Sequence, residues 1–268
     1  MDKKEIEVNG KKVVYNISGH GQPVVLVHGF GELADVWKSQ VEFLQDKFRI
    51  IVPDLPGSGE SEIAGDMSIE GLAEPIKKII DEEKIAQCIM IGHSMGGYIT
   101  LAFAEKYPQY LKAFGLFHST AFADSEEKKV ARRKGIDFIN EYGAFEFLKN
   151  TTPNLFSPHT QDKTPELIEK QIKTLNNFSA AALDSYYEAM IQRPDRTAIL
   201  RNSTLPVLFI AGAFDNAVQL SDVLKLCHLP SLSYIHMLAY SGHMGMLEES
   251  EKSNLILKDF FEKTTFIT

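Results

Sequence analysis

The chain has 268 residues, 44% hydrophobic and 24% charged, enough for one soluble domain with a sizeable core and room for an inserted subdomain. Its formal net charge of −8 speaks against a nucleic-acid partner, because neutralising phosphates needs a basic face. The opening Met-Asp-Lys-Lys-Glu lacks a secretory apolar core, no apolar run approaches the roughly 18 residues of a membrane span, and two cysteines suggest no disulfide framework. A cytoplasmic protein with no membrane partner is expected.

Taken in order, Glu5 to Val8 and Lys12 to Ile17 read as two strands joined at Asn9-Gly10, a strong hairpin signal. Val24 to Val27 is a continuous apolar run, as a strand buried on both faces requires. It ends in His28-Gly29-Phe30-Gly31, where glycine lets backbone N–H groups approach the sheet edge; His28 reads as a residue that shapes this turn. Asp35 to Phe48 is helical in pattern, and Arg49 to Pro53 is the next strand. The loop Asp54-Leu55-Pro56-Gly57-Ser58-Gly59-Glu60-Ser61 is no phosphate loop, since no Gly-Lys-Ser/Thr comes after it.

Ser68 caps a helix running to Glu82, with Ile69, Leu72, Ile76, Ile79 and Ile80 at helical spacing. Cys88 to Ile91 is an apolar strand, and a helix succeeds it as far as Tyr107, ended by Pro108. Ala113 to His118 is a further strand. Strands alternating with helices give an α/β fold with a mostly parallel, doubly wound sheet.

From Asp124 to about Ile199 the strand rhythm disappears. Asp124-Ser125-Glu126-Glu127 reads as an N-cap with acids in the first turn, Thr164-Pro165 opens another helix, and Ser179 to Ile191 a third. The expectation is a helical cap over 120–198, inserted into a core formed by 1–119 and 199–268. Its stripe of Phe, Tyr and Met reads as core between cap and sheet, with part available to line an apolar pocket. Pro206 to Ala211 and Tyr234 to Leu238 resume the sheet, and Leu255 to Phe261 lie on a closing helix.

Between the strand at Cys88 and its helix lies Gly92-His93-Ser94-Met95-Gly96-Gly97. Gly-x-Ser-x-Gly at a strand-to-helix junction is the spacing of a nucleophile elbow, a strained turn that lifts the serine hydroxyl out of the sheet. Ser94, Asp215 and His243 each fall just past the carboxyl end of an expected strand, where open α/β sheets gather their active sites. A serine hydroxyl is a weak nucleophile, so an imidazole must take its proton, and a buried carboxylate must orient that imidazole. His243 and Asp215 are placed for those roles, and the chain order is Ser, Asp, His.

With these residues in hand, the sequence resembles the α/β-hydrolase superfamily. The resemblance rests on His28-Gly29-Phe30, the Asp54 to Ser61 loop, Gly92 to Gly97, Gly212 to Asp215 and Gly242-His243; it spans the sheet and is weakest over the cap. It implies an oxyanion hole built from the backbone N–H groups of Phe30 and Met95. Gln219 stands where relatives often carry proline, with only a local effect expected. Some relatives take the acid from the loop after the preceding strand, which makes Asp124 a fallback. His28, Gly29, His118 and Ser119 are candidates to line the substrate pocket, with strand-end capping the alternative for His118 and Ser119.

The expected function is that of a carboxylesterase-like serine hydrolase acting through an acyl-enzyme on a small, largely apolar ester, thioester or lactone. No metal and no organic cofactor is called for. Serine at position 94 argues against dehalogenase and epoxide hydrolase chemistry, which needs a carboxylate there. Carbon–carbon bond hydrolysis, acyl transfer, perhydrolysis and lyase chemistry stay open, as does a receptor that keeps the fold and barely turns over.

Overall fold

The Asn9-Gly10 pair makes the first tight turn, with φ of 52° and 76°. Both values are positive, as a two-residue hairpin loop of the twist-compatible kind demands. The turn joins β1 (Asp2–Val8) to β2 (Lys11–Ser18) antiparallel, with Val8 opposite Lys11. In this computed structural model, which describes residues 1–265, six further strands complete the sheet. They are β3 (Gln22–Val27), β4 (Phe48–Pro53), β5 (Cys88–His93), β6 (Leu111–Phe117), β7 (Val207–Gly212) and β8 (Ser233–Leu238). The sheet order is β1-β2-β4-β3-β5-β6-β7-β8, and every pairing from β4 to β8 is parallel.

The strands are connected by helices α1 (Lys38–Leu44), α2 (Ile69–Glu82) and α3 (Met95–Lys106) in the first half. Between β6 and β7 come α4 (Glu126–Tyr142), α5 (Ala144–Thr151), α6 (Pro158–Lys163), α7 (Pro165–Lys173), α8 (Ala180–Gln192) and α9 (Thr197–Arg201). The chain closes with α10 (Leu220–Leu226), α11 (Gly245–Glu248) and α12 (Ser250–Thr265). Leu72 and Ile76 of α2 and Phe103 of α3 pack on one face of the sheet with Val25 and Met90. Val41 and Leu44 of α1 and Leu257 and Phe261 of α12 cover the other face with Leu26 and Ile91. Burial on both faces is why β5 and β7 are apolar without alternation. Among the described residues no helix is long and apolar enough to cross a membrane.

Two expectations shift. The helix expected over Asp35 to Phe48 is a 3-10 turn, Ala34–Trp37, continued by α1; Phe48 is drawn into β4 by pairing with Gln22. The expected edge between cap and core, at 198/199, falls inside α9. The expected N-cap with acids in the first turn is present on α4: the Ser125 hydroxyl accepts from the Lys128 N–H, Glu126 and Glu127 open the helix, and Asp124 is bonded elsewhere. Leu183, Tyr186 and Met190 of α8 are buried with the sheet-side core. The Tyr186 hydroxyl donates to the Pro56 carbonyl at 2.6 Å and lies 2.9 Å from Ser58 Oγ, which ties α8 to the Asp54–Ser61 loop.

Candidate active site

The elbow is dictated by close backbone approach. A Cβ on Gly92 would lie 2.1 Å from the Gly96 carbonyl oxygen, and one on Gly96 would lie 2.4 Å from that of Val27. Only glycine fits either place. Ser94 between them has φ 51° and ψ −117°, a conformation that costs a non-glycine residue of order 1–3 kcal/mol. The surroundings hold it there: the Ser94 N–H donates to the Phe117 carbonyl at 3.0 Å, and the Ser94 carbonyl accepts from Gly97 N–H and from Ser119 Oγ at 2.7 Å. Ser94 is nonetheless half-buried within a fully buried strand-to-helix segment, so its side chain is accessible.

Asp215 and His243 come together across the ends of β7 and β8. His243 Nδ1 donates to Asp215 Oδ2 at 2.9 Å, and the other carboxylate oxygen accepts from the N–H groups of Ala217 and Val218 at 2.8 Å each. Burial by itself would raise the Asp215 carboxyl, but the charge of His243 and the hydrogen bonds from His118 and His243 hold it far below the usual carboxylate range. Burial likewise works to lower His243; the Asp215 carboxylate overrides it and raises the imidazole, with Glu32 and Glu248 adding to the effect. An imidazole with Nδ1 committed to a buried carboxylate keeps Nε2 free to accept a proton.

His93 links this pair to the elbow. Its ring lies 4.8 Å from that of His243, its Nε2 donates to the His243 carbonyl at 2.9 Å, and its Nδ1 faces Glu32 Oε2 at 2.9 Å. Glu32 also accepts from Gly29 N–H at 2.6 Å, so one buried carboxylate fixes both the residue before the nucleophile and the loop after β3. Burial would raise the Glu32 carboxyl; His93 and the Gly29 N–H outweigh it and lower it. Glu32 and His93 were missed as site residues by sequence reasoning. The available signal was a carboxylate three residues after Gly29, in a loop that must be buried against the elbow.

Of the two backbone N–H groups that the resemblance implies as oxyanion donors, Phe30 lies in the loop after β3 and Met95 opens α3. Met95 is the first residue of α3, so its N–H has no partner within the helix, and the Phe30 N–H meets no protein acceptor among the described residues. The cap closes over this loop: the Phe30 ring stacks on Tyr187 at 4.3 Å and meets Phe147 and Tyr186 edge-on at 6.3 Å.

The four candidate pocket residues separate by their surroundings. Gly29 flanks the nucleophile, since a Cβ there would sit 3.1 Å from Ser94 Cβ. Ser119 has its hydroxyl turned onto the Ser94 backbone. His28 is fully buried, with Nδ1 on the Gly29 carbonyl and Nε2 accepting from Leu55 N–H at 3.0 Å, so it shapes two loops and offers no atom to a substrate. His118 is fully buried behind Asp215, with its Nδ1 3.0 Å from Oδ2. Asp124, the fallback acid, is bonded to Arg132 and Arg193 and makes no hydrogen bond to His243.

A buried imidazole oriented by Asp215 and tied through His93 to the strained elbow that carries half-buried Ser94 is an arrangement suited to acyl transfer to serine. Known proteins similar to this chain include an enol-lactonase, a lipase and an esterase. The chain is 27% identical to 3-oxoadipate enol-lactonase 2 of Acinetobacter baylyi over 256 residues, covering 92% of each. It is 25% identical to Lipase 1 of Psychrobacter immobilis, covering 91% of this chain and 79% of the lipase. Among solved structures, a thermophilic esterase from Thermogutta terrifontis in a malate-bound form matches with a TM-score of 0.92 and 28% identity, over 98% of this chain and 99% of that one. The enol-lactonase of Burkholderia xenovorans shares the fold at a TM-score of 0.89 and 23% identity, over 97% and 100%. With the family model for the alpha/beta hydrolase fold matching residues 22–250, sheet, elbow and sequence agree, and the chain belongs to that family.

Proposed function

We propose that this protein is a serine hydrolase of the carboxylic-ester class, cleaving a small ester, thioester or lactone through an acyl-enzyme. The observation that carries the reading is the buried Asp215–His243 pair held beside the strained Ser94 elbow through His93. In the proposed cycle Ser94 Oγ attacks the carbonyl carbon while His243 Nε2 takes the hydroxyl proton. The resulting oxyanion is met by the Phe30 and Met95 N–H groups, reinforced by the positive end of α3. Collapse breaks the bond to the leaving oxygen or sulfur, which receives the proton from His243. Water then repeats the sequence on the acyl carbon, releasing the acid and restoring Ser94. The enol-lactonase, lipase and esterase among the similar proteins support ester or lactone cleavage.

The test is intact-mass labelling with a fluorophosphonate on wild type and Ser94→Ala, beside steady-state hydrolysis of a short 4-nitrophenyl ester. One adduct on wild type, none on Ser94→Ala, and sustained turnover are expected. An adduct with a single slow turnover would turn the reading towards ligand sensing. No adduct at all would remove Ser94 as the nucleophile.

A further inference from the structure

We infer that the site beside Ser94 takes substrates bearing a carboxylate, and that Arg132 of α4 recognises that group; this rests on the hydrolase reading. Asp124, with a fully buried side chain, is shared by two guanidinium groups. Arg132 reaches it through Nε at 2.5 Å and Nη2 at 3.3 Å, and Arg193 through Nη2 at 2.9 Å. Two cations on one carboxylate leave a surplus of one positive charge.

The two arginines are not equivalent. Arg193 is spent on structure: its side chain is 3% exposed, its Nη1 donates to the Met190 carbonyl, its Nη2 to that of Phe122, and its plane lies 3.9 Å from the Tyr98 ring centroid. Arg132 uses only Nε and Nη2, both on Asp124. Its Nη1 donates to no protein acceptor among the described residues, and 19% of the side chain is accessible. Among the described residues Asp124 is the carboxylate ion-paired with this guanidinium, and the Tyr187 ring lies beside it.

The Tyr187 ring connects the surplus cation to the loop that carries Phe30. Arg132 Cζ lies 5.5 Å from the centroid of Tyr187, and Tyr187 is stacked face to face on Phe30, a proposed oxyanion donor. Tyr98 lies on α3 four residues after Ser94, and its hydroxyl has no protein partner among the described residues. An accessible guanidinium edge with no protein acceptor, beside an aromatic surface, is free to take a carboxylate as a charge-assisted partner. The protein as a whole carries −8, so its general field repels anions and a local cation is what lets one enter. The aromatic walls suit a carbon skeleton and Arg132 its terminal carboxylate. Half-esters of dicarboxylic acids and carboxylated lactones have this shape; plain alkanoate esters leave the guanidinium unanswered.

The experiment compares 4-nitrophenyl hydrogen glutarate with 4-nitrophenyl pentanoate on the intact protein. Wild type should favour the carboxylated ester by about tenfold or more in kcat/KM, expressed mainly in KM, as a charge-assisted hydrogen bond implies. Arg132→Gln should bring the ratio close to one, and Arg132→Lys should keep part of it. If Arg132→Gln does not fold, the wild-type ratio and its decline with ionic strength decide the matter. A wild-type ratio of one or less, or a ratio unmoved in a folded Arg132→Gln, overturns the carboxylate assignment alone. Hydrolysis of neither ester together with no fluorophosphonate adduct overturns the hydrolase reading itself.

Discussion

One oxygen of Asp215 serves two imidazoles: His243 Nδ1 lies 2.9 Å and His118 Nδ1 3.0 Å from Oδ2. The Gly212 N–H also points at His118 Nδ1, at 3.2 Å, but a nitrogen holding one proton cannot both donate and accept along these lines. The contact with a buried carboxylate is the stronger, so the proton faces Asp215 and the fully buried Nε2 is left without a partner. Burial outweighs the carboxylate and lowers His118 to about 4, so it is neutral through the working range and acts as a fixed donor.

That donor withdraws charge from the carboxylate that stabilises protonated His243. The groups facing His243 are Asp215, Glu32 and Glu248, which favour its charged form, and the His118 and His93 rings. Replacing His118 by Asn, which tolerates its positive φ of 49°, should leave more negative charge for His243 and raise its pKa. His243 must be neutral to act as base, so the acid limb of kcat/KM should move to higher pH. Profiles of wild type and variant check this; a purely packing role for His118 lowers the rate without moving the limb.

The two candidate acids separate by what their loss does. Asp215→Asn should cost about 10⁴ in kcat, because the amide fixes the wrong imidazole tautomer. Asp124→Asn leaves two guanidinium groups facing a neutral amide in a buried place, which should destabilise the fold by about 3 kcal/mol or more. Ester kinetics on the first and thermal unfolding on the second are the measurements.

Ser94 offers a test of stored strain. Ser94→Ala removes the nucleophile and keeps the φ penalty, so turnover should vanish with the melting temperature near wild type. Ser94→Gly removes both, and should raise stability by about 1 kcal/mol once glycine's greater chain entropy is set against the relieved strain. If the elbow were relaxed, unfolding curves for the pair would show Ser94→Gly less stable than Ser94→Ala, through its greater chain entropy.

Glu32 carries a pH-dependent share of stability. Its folded pKa is depressed, so the contribution is fully present above the unfolded carboxyl value and is lost as pH falls through the folded one. Glu32→Gln should destabilise the protein by about 2 kcal/mol at neutral pH, having lost a charged partner for His93 and Gly29 N–H. It should also flatten the fall in stability below about pH 4.5. Denaturant titrations across pH 3 to 7 test both.

The sequence by itself determined the features that neighbouring residues impose on one another. The Gly-x-Ser-x-Gly spacing declares the elbow, since a side chain on Gly92 would collide with the Gly96 carbonyl four residues on, and Asn9-Gly10 declares its hairpin because both residues accept the positive φ that a two-residue turn needs. The apolar runs of β3, β5 and β7 declare a sheet covered on both faces, and the order of Ser94, Asp215 and His243 along it marks which loops lie at its carboxyl edge. Only the tertiary structure decided how polar groups distant in the chain share partners inside that frame. Glu32 meets His93, His118 joins His243 on one carboxylate oxygen, and Asp124 gathers Arg132 and Arg193. No spacing rule announces such pairs, because each buried charge or polar atom takes whichever partner the packed sheet and its overlying helices bring within about 3 Å.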